Sequence, residues 1–530
     1  MSATVEAPPP APSEPNPYDV VPYDSYCFDF TLPDRMHAIG RLFGLTPPDF
    51  HKARVLELGC AGGGNLVPMA VRYPQARFVG IDLSAVEIDH ARQLAEDAGA
   101  ENIAFHRMSI ADIGPELGLF DYIVVHGVFS WVPAPVREAI VRVSKENLAP
   151  DGIALVSYNT LPGWNQVRAV RDMMLYHCAR FPTLQEKIGQ GIALLKFVLE
   201  SANPNLKSYR ESLQSELDLL SSQRAYYIFH EHLENENFSL HLHEMADMAR
   251  ARGLEYLSDV NLEIMFLQNF PENVARLLGA AEDIVRIEQY LDFITNRRFR
   301  VSLFCHRGLA LQRNLQSAQI FDFHLGSRVL PPVEAPDLRR DARTVFRMQN
   351  GAEMTAELRH TLAVLLVLSE FSGRIVEPAV VVREAAGRLG GGPDAEARVR
   401  QALEEIGLRL VFSGGLVLHS DAPRVAAAVS ESPTAFAAAR AASKRWDIVP
   451  SVFHQRITMG PADRTLLQLC DGTRDLDALV AGIGGKLETG ELTMNRDGKP
   501  IADLAAARGD LETWVKDMLG QFARLGLLVA

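Results

Sequence analysis

The segment that most constrains the fold is Val55-Leu-Glu-Leu-Gly-Cys-Ala-Gly-Gly-Gly-Asn65, in which a short apolar run enters a glycine-rich turn. The run is typical of a buried strand, and a helical pattern begins near Asn65. Gly59 and the three glycines at 62–64 allow a sharp turn and let a ligand approach the backbone without meeting a Cβ atom. The following helix would present unpaired N–H groups. The segment therefore predicts a strand–turn–helix ligand site.

This turn belongs to a longer strand–helix alternation. The predicted strands are Arg54–Leu58, Arg77–Ile81, Ile103–Arg107, Tyr122–His126 and Ile153–Tyr158. Helical patterns cover residues 34–45, 65–73, 84–98 and 134–148. Such alternation predicts an α/β fold with a doubly wound, mostly parallel sheet that is covered by helices on both faces.

The rest of the chain suggests further regions, and 530 residues allow about three or four domains. Residues 1–17 are rich in proline and predict a disordered tail. We expect the α/β region over 18–165, with its sheet completed by residues up to about 222. A mainly helical middle domain is expected over 223–325 and a winged-helix-like region over 337–530, the latter as two units that each end in a short strand, at Ile406–Val411 and near the C-terminus.

Composition excludes several classes of protein. The net charge of −13 argues against general binding of nucleic acid or anionic lipid. A membrane span needs about 20 apolar residues, and the longest apolar run, Leu362–Leu368, has seven. Five scattered cysteines and no recognisable secretory signal favour a reducing compartment, so we expect a cytoplasmic protein.

Two carboxylates indicate what the turn binds. Glu57 precedes Gly59 by two residues, where a carboxylate would repel a pyrophosphate but would suit an ammonium group. The dinucleotide pattern Gly-x-Gly-x-x-Gly also fails, because Ala61 stands at its second glycine. Asp82 ends the second strand, where it could accept both hydroxyls of a ribose. The alternative for Asp82 is to cap the next helix, a role that Ser84 could fill equally well.

These residues resemble a class I S-adenosylmethionine-dependent methyltransferase, from whose loop pattern Glu/Asp-x-Gly-x-Gly-x-Gly the chain departs at Ala61. A narrower resemblance is to bacterial methyltransferases with a methyltransferase regulatory domain, including the rickettsial-type protein lysine methyltransferases. Besides the loop it rests on the segments Val21–Tyr23, Pro33–Arg35, His126–Pro133, Ser157–Trp164, Tyr227–Leu233, Gly253–Tyr256 and Asn296–Arg300. It implies a seven-stranded Rossmann-like sheet and, for residues 223–325, the regulatory domain.

The resemblance also implies which residues bind S-adenosyl-L-methionine: Glu57, Gly59, Ala61, Gly63, Asp82, Leu83, Ser109 and Ile110. The loop backbone would follow the methionine part, with Glu57 near its ammonium. Asp82 would hold the ribose and Leu83 would pack on the adenine. Ser109 and Ile110 would lie near the adenine amine.

For the methyl acceptor, the resemblance places the site beside the end of the fourth strand. Candidate catalytic residues are His126, Tyr158 and Trp131, and an aromatic entrance would be formed by Tyr18, Tyr23, Tyr26 and Trp164. Such an entrance would favour an amine through cation–π contact. Three alternatives stay open: the two tryptophans pack loop ends, His126 is structural, and the aromatic segment over 18–30 is a strap that covers an apolar face.

The expected function is methyl transfer to a protein lysine amine. One alternative is a small-molecule acceptor, with the later regions serving as a lid or the interface of a homodimer. Another is a non-catalytic DNA-binding regulator, which the acidic charge and the lack of an Arg-rich recognition helix disfavour. The histidines His230, His232, His241 and His243 lack the His-Glu-x-x-His spacing, so no metal site is predicted.

Overall fold

A computed structural model describes residues 24–426, 428–493, 495–496, 499–500 and 508–529. The proline-rich tail predicted over 1–17 therefore lies outside the described residues, as do Tyr18 and Tyr23.

A mostly parallel sheet forms the centre of the molecule. Its strands are β1 (Arg54–Leu58), β2 (Arg77–Asp82), β3 (Ile103–Arg107), β4 (Phe120–Val125), β5 (Leu148–Thr160), β6 (Ser239–Leu240), β7 (Leu254–Asp259) and β8 (Phe299–His306). The order is β3-β2-β1-β4-β5-β8-β7, with the short β6 beside β5. The first five strands are parallel to one another, and β8 is antiparallel to both of its neighbours. The predicted α/β class is confirmed.

Helices cover both faces of this sheet because its strands alternate between two apolar cores. On β1, Val55 faces one core while Leu56 and Leu58 face the other. The helices up to residue 222 are Pro33–Leu42, Leu66–Arg72, Ala85–Ala98, Ala134–Glu146, Trp164–Cys178, Leu184–Ser201 and Lys207–Ser222. The last three surround a small core of their own.

The prediction that the sheet is complete by about residue 222 is wrong. Its last two strands, β7 and β8, come from the middle region, between the helices Ala225–Ile228, Leu242–Ala251, Glu272–Leu278 and Ile284–Thr295. The physical reason lies in charge: Asp259 on β7 and Arg300 on β8 are both buried and bonded to each other. Buried charged residues interrupt the apolar run by which a central strand is recognised.

The C-terminal third forms two helical units. The first has the helices Arg359–Glu370, Pro378–Arg388 and Pro393–Phe412, with the strands His324–Ser327, Ile375–Val376 and Leu416–His419. The second has the helices Ala437–Ala442, Pro461–Leu469, Leu476–Glu488 and Arg508–Arg524, with the strands Thr434–Ala435, Ile448–Pro450, Arg456–Thr458 and Leu528–Val529. Two short hairpins, Thr344–Arg347 with Glu353–Ala356 and Asn495–Arg496 with Lys499–Pro500, complete the elements.

One strand prediction in the first unit is wrong. Ile406–Val411 continues the helix, and the strand begins at Leu416, because buried residues such as Ile406 and Leu410 also recur at helical spacing. Within the described residues, no helix is long and apolar enough to cross a membrane.

Candidate active site

The glycine-rich turn lies at the carboxyl end of β1, as the sequence predicts. Gly59 has φ +77°, and a Cβ atom there would lie 2.3 Å from Cγ2 of Val128. Gly63 also has a left-handed backbone, with φ +76°. Ala61, which departs from the glycine pattern, has φ +43° and so keeps the conformation that glycine favours. The turn therefore retains the expected shape despite the alanine.

Glu57 is a buried carboxylate, and no positively charged side chain of the described structure bonds to it. It is 4% exposed, and its Oε1 accepts a hydrogen bond from Asn65 Nδ2 at 2.7 Å. Its Oε2 has no hydrogen-bond partner among the described residues. Burial raises the pKa of Glu57 to about 8, opposed by the Asn65 hydrogen bond and reinforced by the charge of Asp82. An ammonium group on a ligand would supply the missing partner.

Asp82 lies across the turn from Glu57. Its Oδ2 accepts from the Ala61 N–H at 3.0 Å and its Oδ1 from the Ser84 N–H at 2.9 Å, so its carboxylate is held at the end of β2. Ser84 caps the next helix, accepting from the Glu87 N–H at 3.1 Å. Asp82 is thus not needed as that cap.

The residues predicted to lie near the adenine are at the same edge of the sheet as Glu57 and Asp82. Leu83 is 58% exposed, which leaves its apolar side chain available to a ring. Ser109 caps a short 3₁₀ turn by accepting from the Ala111 N–H at 3.2 Å, and Ile110 within that turn is buried. The structure brings these residues together with Glu57 and Asp82 because the carboxyl ends of parallel strands meet at one edge.

His126, directly after β4, is surrounded by aromatic rings. The ring centroids of Phe28, Phe30 and Phe299 lie 4.2, 5.0 and 6.2 Å from its own. Its Nδ1 is 2.9 Å from Ser157 Oγ, which also accepts from the Gly127 N–H at 2.8 Å. Burial, together with the charge of Arg456, lowers the pKa of His126 to about 4, so the imidazole is neutral at pH 7.

The other predicted acceptor residues do not join His126 in one cluster. Tyr158 is 1% exposed and its hydroxyl is 2.9 Å from Ser302 Oγ, inside the apolar core. Trp131 and Trp164 pack edge to face at 6.1 Å, and Trp164 donates to Asn237 Oδ1 at 2.8 Å. These positions fit the alternative that the tryptophans pack loop ends.

The N-terminal segment over residues 24–31 forms a strap across the turn. Ser25 Oγ accepts from the Gly64 N–H at 2.8 Å, and a Cβ atom on Gly64 would lie 2.1 Å from the Ser25 carbonyl oxygen. Gly64, the third glycine of the triplet, therefore leaves the space that the strap occupies. Tyr26, the one predicted entrance tyrosine that is described, donates to Asp24 Oδ2 at 2.8 Å and accepts from the Tyr226 hydroxyl at 3.2 Å.

Sequence reasoning missed the three phenylalanines around His126. The aromatic-rich composition of residues 18–30 was a usable signal for Phe28 and Phe30, since it predicted docking of that segment. Phe299 lies in the segment Asn296–Arg300 that carries the family resemblance, but that segment did not indicate the acceptor site, because the antiparallel pairing of β8 with β5 brings Phe299 there.

Of the four histidines considered above as metal ligands, His230 and His232 lie beside carboxylates, whereas the rings of His241 and His243 stack on each other at 5.3 Å. His232 Nε2 lies 3.0 Å from Glu216 Oε1, and His230 Nδ1 lies 3.3 Å from Glu234 Oε1. In the part of the chain that the structure describes, no group of three or more His, Cys, Asp or Glu side chains could hold a metal ion.

Comparison with known proteins assigns the family. Three family models match: "Methyltransferase domain" over residues 55–152, "Predicted methyltransferase regulatory domain" over 224–306 and "PKMT, C-terminal winged helix domain" over 431–527. The structure of PKMT2 from Rickettsia typhi in complex with AdoHcy superimposes with a TM-score of 0.87, at 32% identity, covering 96% of this chain and 100% of that one. The chain belongs to the PKMT family of S-adenosylmethionine-dependent methyltransferases.

A relative in another Rickettsia species extends the likeness at the sequence level. The chain is 38% identical over 522 residues to "Uncharacterized protein RP789" of Rickettsia prowazekii, covering 97% of this chain and 94% of that protein. The resemblance drawn from the motifs is thus confirmed, and S-adenosylmethionine is the cofactor.

Proposed function

We propose that this PKMT family enzyme methylates a side-chain amine of a protein, namely that of lysine. The observation that carries the proposal is the wall of apolar rings around His126, formed by Phe28, Phe30 and Phe299. Such a wall favours an uncharged amine and also holds methylated cationic products through cation–π contact. The net charge of −13 favours encounter with a basic protein segment. The motif resemblance to protein lysine methyltransferases supports the same acceptor.

For the cofactor, we assign Glu57 to the ammonium group and Asp82 to the ribose hydroxyls. The unpartnered, buried Oε2 of Glu57 supports the first assignment. The exposed Leu83 side chain suits one face of the adenine, with Ser109 and Ile110 near its amine. The backbone of the turn, which includes Gly59, Ala61 and Gly63, follows the methionine part.

S-adenosylmethionine supplies an already activated methyl group, so the protein mainly has to align the amine and exclude water. A lysine must first lose its proton. The pKa of His126 is lowered by burial and by Arg456, and the same two influences would lower the pKa of an amine bound beside it. Because its own pKa is about 4, His126 is a weak proton acceptor; we assign it to orienting the acceptor while the proton passes to water.

A labelling experiment tests the acceptor class. Extract from cells that lack the enzyme is incubated with the purified protein and S-adenosylmethionine that carries a labelled methyl group. We expect label in protein bands, and methyl-lysine in the mass spectra of their digests. Label confined to extractable metabolites would contradict the proposal and favour a small-molecule acceptor.

A matched pair of variants tests the wall. Phe299 and Phe293 are 42% and 47% exposed, but only Phe299 is close to His126. We expect Phe299→Ala to raise the KM for the acceptor protein about tenfold, since loss of a cation–π and apolar contact costs about 1–2 kcal/mol. Phe293→Ala should leave that KM within about twofold. Equal effects of the two substitutions would contradict the assignment.

A further inference from the structure

A hairpin of the C-terminal region reaches the cofactor site. Its strands Ile448–Pro450 and Arg456–Thr458 pair antiparallel, and their connection carries His454. His454 is 2% exposed and has φ +61°, so its backbone adopts a left-handed conformation that is uncommon for residues other than glycine. Arg72 of the catalytic region donates to the Val452 carbonyl oxygen at 3.2 Å and so anchors the same connection.

The His454 side chain points at Asn65, the residue that bonds Glu57. His454 Nε2 lies 2.9 Å from Asn65 Oδ1. The pKa of His454 is lowered to about 3 by burial and by the charge of Arg72, so its imidazole is neutral. A neutral imidazole can donate through Nε2, and an amide oxygen can only accept, so the proton lies on Nε2.

The hydrogen-bond donors around Asn65 leave its side-chain amide a single orientation. Asn65 Oδ1 accepts from the Phe28 N–H at 3.0 Å and from His454. The Thr31 hydroxyl also lies 3.0 Å away, but it is 2.6 Å from the Phe28 carbonyl oxygen and gives its single proton there. Two donors fill the two lone pairs of Oδ1. The Asn65 Nδ2 group must then face Glu57 Oε1, at 2.7 Å.

We propose that His454 is a positioning residue of the cofactor site: it holds Asn65, and Asn65 holds Glu57 with Oε2 directed to the ligand. The inference rests on the proposed role of Glu57 toward the cofactor ammonium. It makes the C-terminal winged-helix region a contributor to cofactor affinity through the contacts of His454 with Asn65 and of Asn65 with Glu57. His454 and Asn65 are 389 positions apart in the chain.

Three substitutions at His454 separate its hydrogen bond from its backbone conformation. The amide of His454→Gln reaches the place of Nε2, whereas that of His454→Asn reaches only the place of Nδ1. Asparagine tolerates a positive φ, and glycine adopts it freely. We call His454→Asn and His454→Gly the donor-free variants, because neither places an N–H donor where Nε2 of His454 lies. Thr458→Ala, at an exposed position on the same hairpin, is the control. Circular dichroism and thermal unfolding identify the variants that fold.

Calorimetric titration of the full-length protein with AdoHcy supplies the readout. We expect His454→Asn and His454→Gly to weaken binding about tenfold, as loss of a buried hydrogen bond should. His454→Gln and Thr458→Ala should stay within about threefold of the unaltered protein. The KM for S-adenosylmethionine should rise in the donor-free variants while kcat at saturating cofactor stays within about twofold. Unchanged affinity in the donor-free variants would overturn the proposal.

A double-mutant cycle tests whether His454 acts through Glu57. In a Glu57→Gln background, we expect His454→Asn to weaken AdoHcy binding less than about twofold. An undiminished tenfold effect there would show a route that bypasses Glu57 and would overturn the proposal. If Glu57→Gln alone leaves binding unchanged, the Glu57 assignment fails and the inference fails with it. AdoHcy binding involves no acceptor, so an error in the lysine assignment leaves this test intact.

Discussion

Two of the buried carboxylate clusters in the described structure, one around Arg300 and one around Glu57, differ in where their positive charge comes from. Around Arg300, which is fully buried, the chain gathers Asp259, Glu288 and Asp292, with side-chain distances of 3.5, 2.9 and 2.7 Å. Around Glu57, the nearest partner is the neutral amide of Asn65. The first cluster contains its own cation, and the second does not.

If Glu57 binds the cofactor ammonium as we propose, this difference separates a structural site from a ligand site. Burying a carboxylate without a cation costs free energy, and a protein tolerates it where binding recovers that free energy. The Arg300 cluster ties β8 to β7 and to the helix Ile284–Thr295, so it maintains the edge of the sheet. Four measurable consequences test this contrast.

The largest expected effect is on stability, at Arg300. Arg300→Met would leave three buried carboxylates without their shared cation, and we expect a loss of about 3–5 kcal/mol in the free energy of unfolding. Urea denaturation measures it. Arg347→Met breaks an exposed pair with Glu353 and should cost less than about 1 kcal/mol. Similar losses in the two variants would remove the contrast between a buried cluster and a surface pair.

In contrast to Arg300→Met, the Glu57→Gln substitution should weaken ligand binding without lowering stability. The glutamine keeps the size of the side chain and cannot ionise in its buried position, so stability should be equal or higher. Affinity for AdoHcy should fall about 10- to 100-fold, because a hydrogen bond between charged groups contributes about 1.5–3 kcal/mol. Titration calorimetry and thermal unfolding report the two quantities separately. A destabilised variant with normal affinity would make Glu57 structural, like the carboxylates around Arg300.

The pH dependence of binding follows from the raised pKa of Glu57, about 8. Below that pH the free enzyme holds a proton on Glu57, and this proton must leave when an ammonium binds. Affinity for AdoHcy should therefore rise up to tenfold per pH unit between about pH 6 and 8, with release of one proton. Above about pH 8 Glu57 has already lost this proton in the free enzyme, so the gain ends.

Calorimetry in buffers of different ionisation enthalpy counts the protons. Glu57→Gln should flatten the acid limb of the profile, since no proton then has to leave. An acid limb that persists in Glu57→Gln would assign the proton to another group.

The smallest effect is expected at Tyr158. Its buried hydroxyl bonds to Ser302, so Tyr158→Phe should cost about 1 kcal/mol of stability. Turnover of the acceptor should be unchanged, because the hydroxyl lies in the core and away from His126. Steady-state kinetics decides the matter: a fall in kcat of more than about tenfold would return Tyr158 to the acceptor site.

Much of the catalytic fold follows from local patterns in the sequence. β1 and β3 have the predicted bounds, Arg54–Leu58 and Ile103–Arg107, because their apolar runs end at turn residues. The same reasoning missed β7 and β8, whose buried Asp259 and Arg300 neutralise each other. It located Glu57 and Asp82, and it chose Trp131 and Tyr158 where the structure places Phe28 and Phe299 beside His126.

Local sequence patterns are enough to predict the sheet of parallel strands, the turn after β1 and the two acidic residues at its edge. These features depend on neighbours along the chain, and strand geometry alone brings the strand ends together. Their surroundings depend on contacts between distant segments: the strap, Phe299 from β8, and His454, which lies 389 positions from Asn65. Periodicity along a chain indicates that a face is buried, but the partner that buries it is chosen by packing between distant segments.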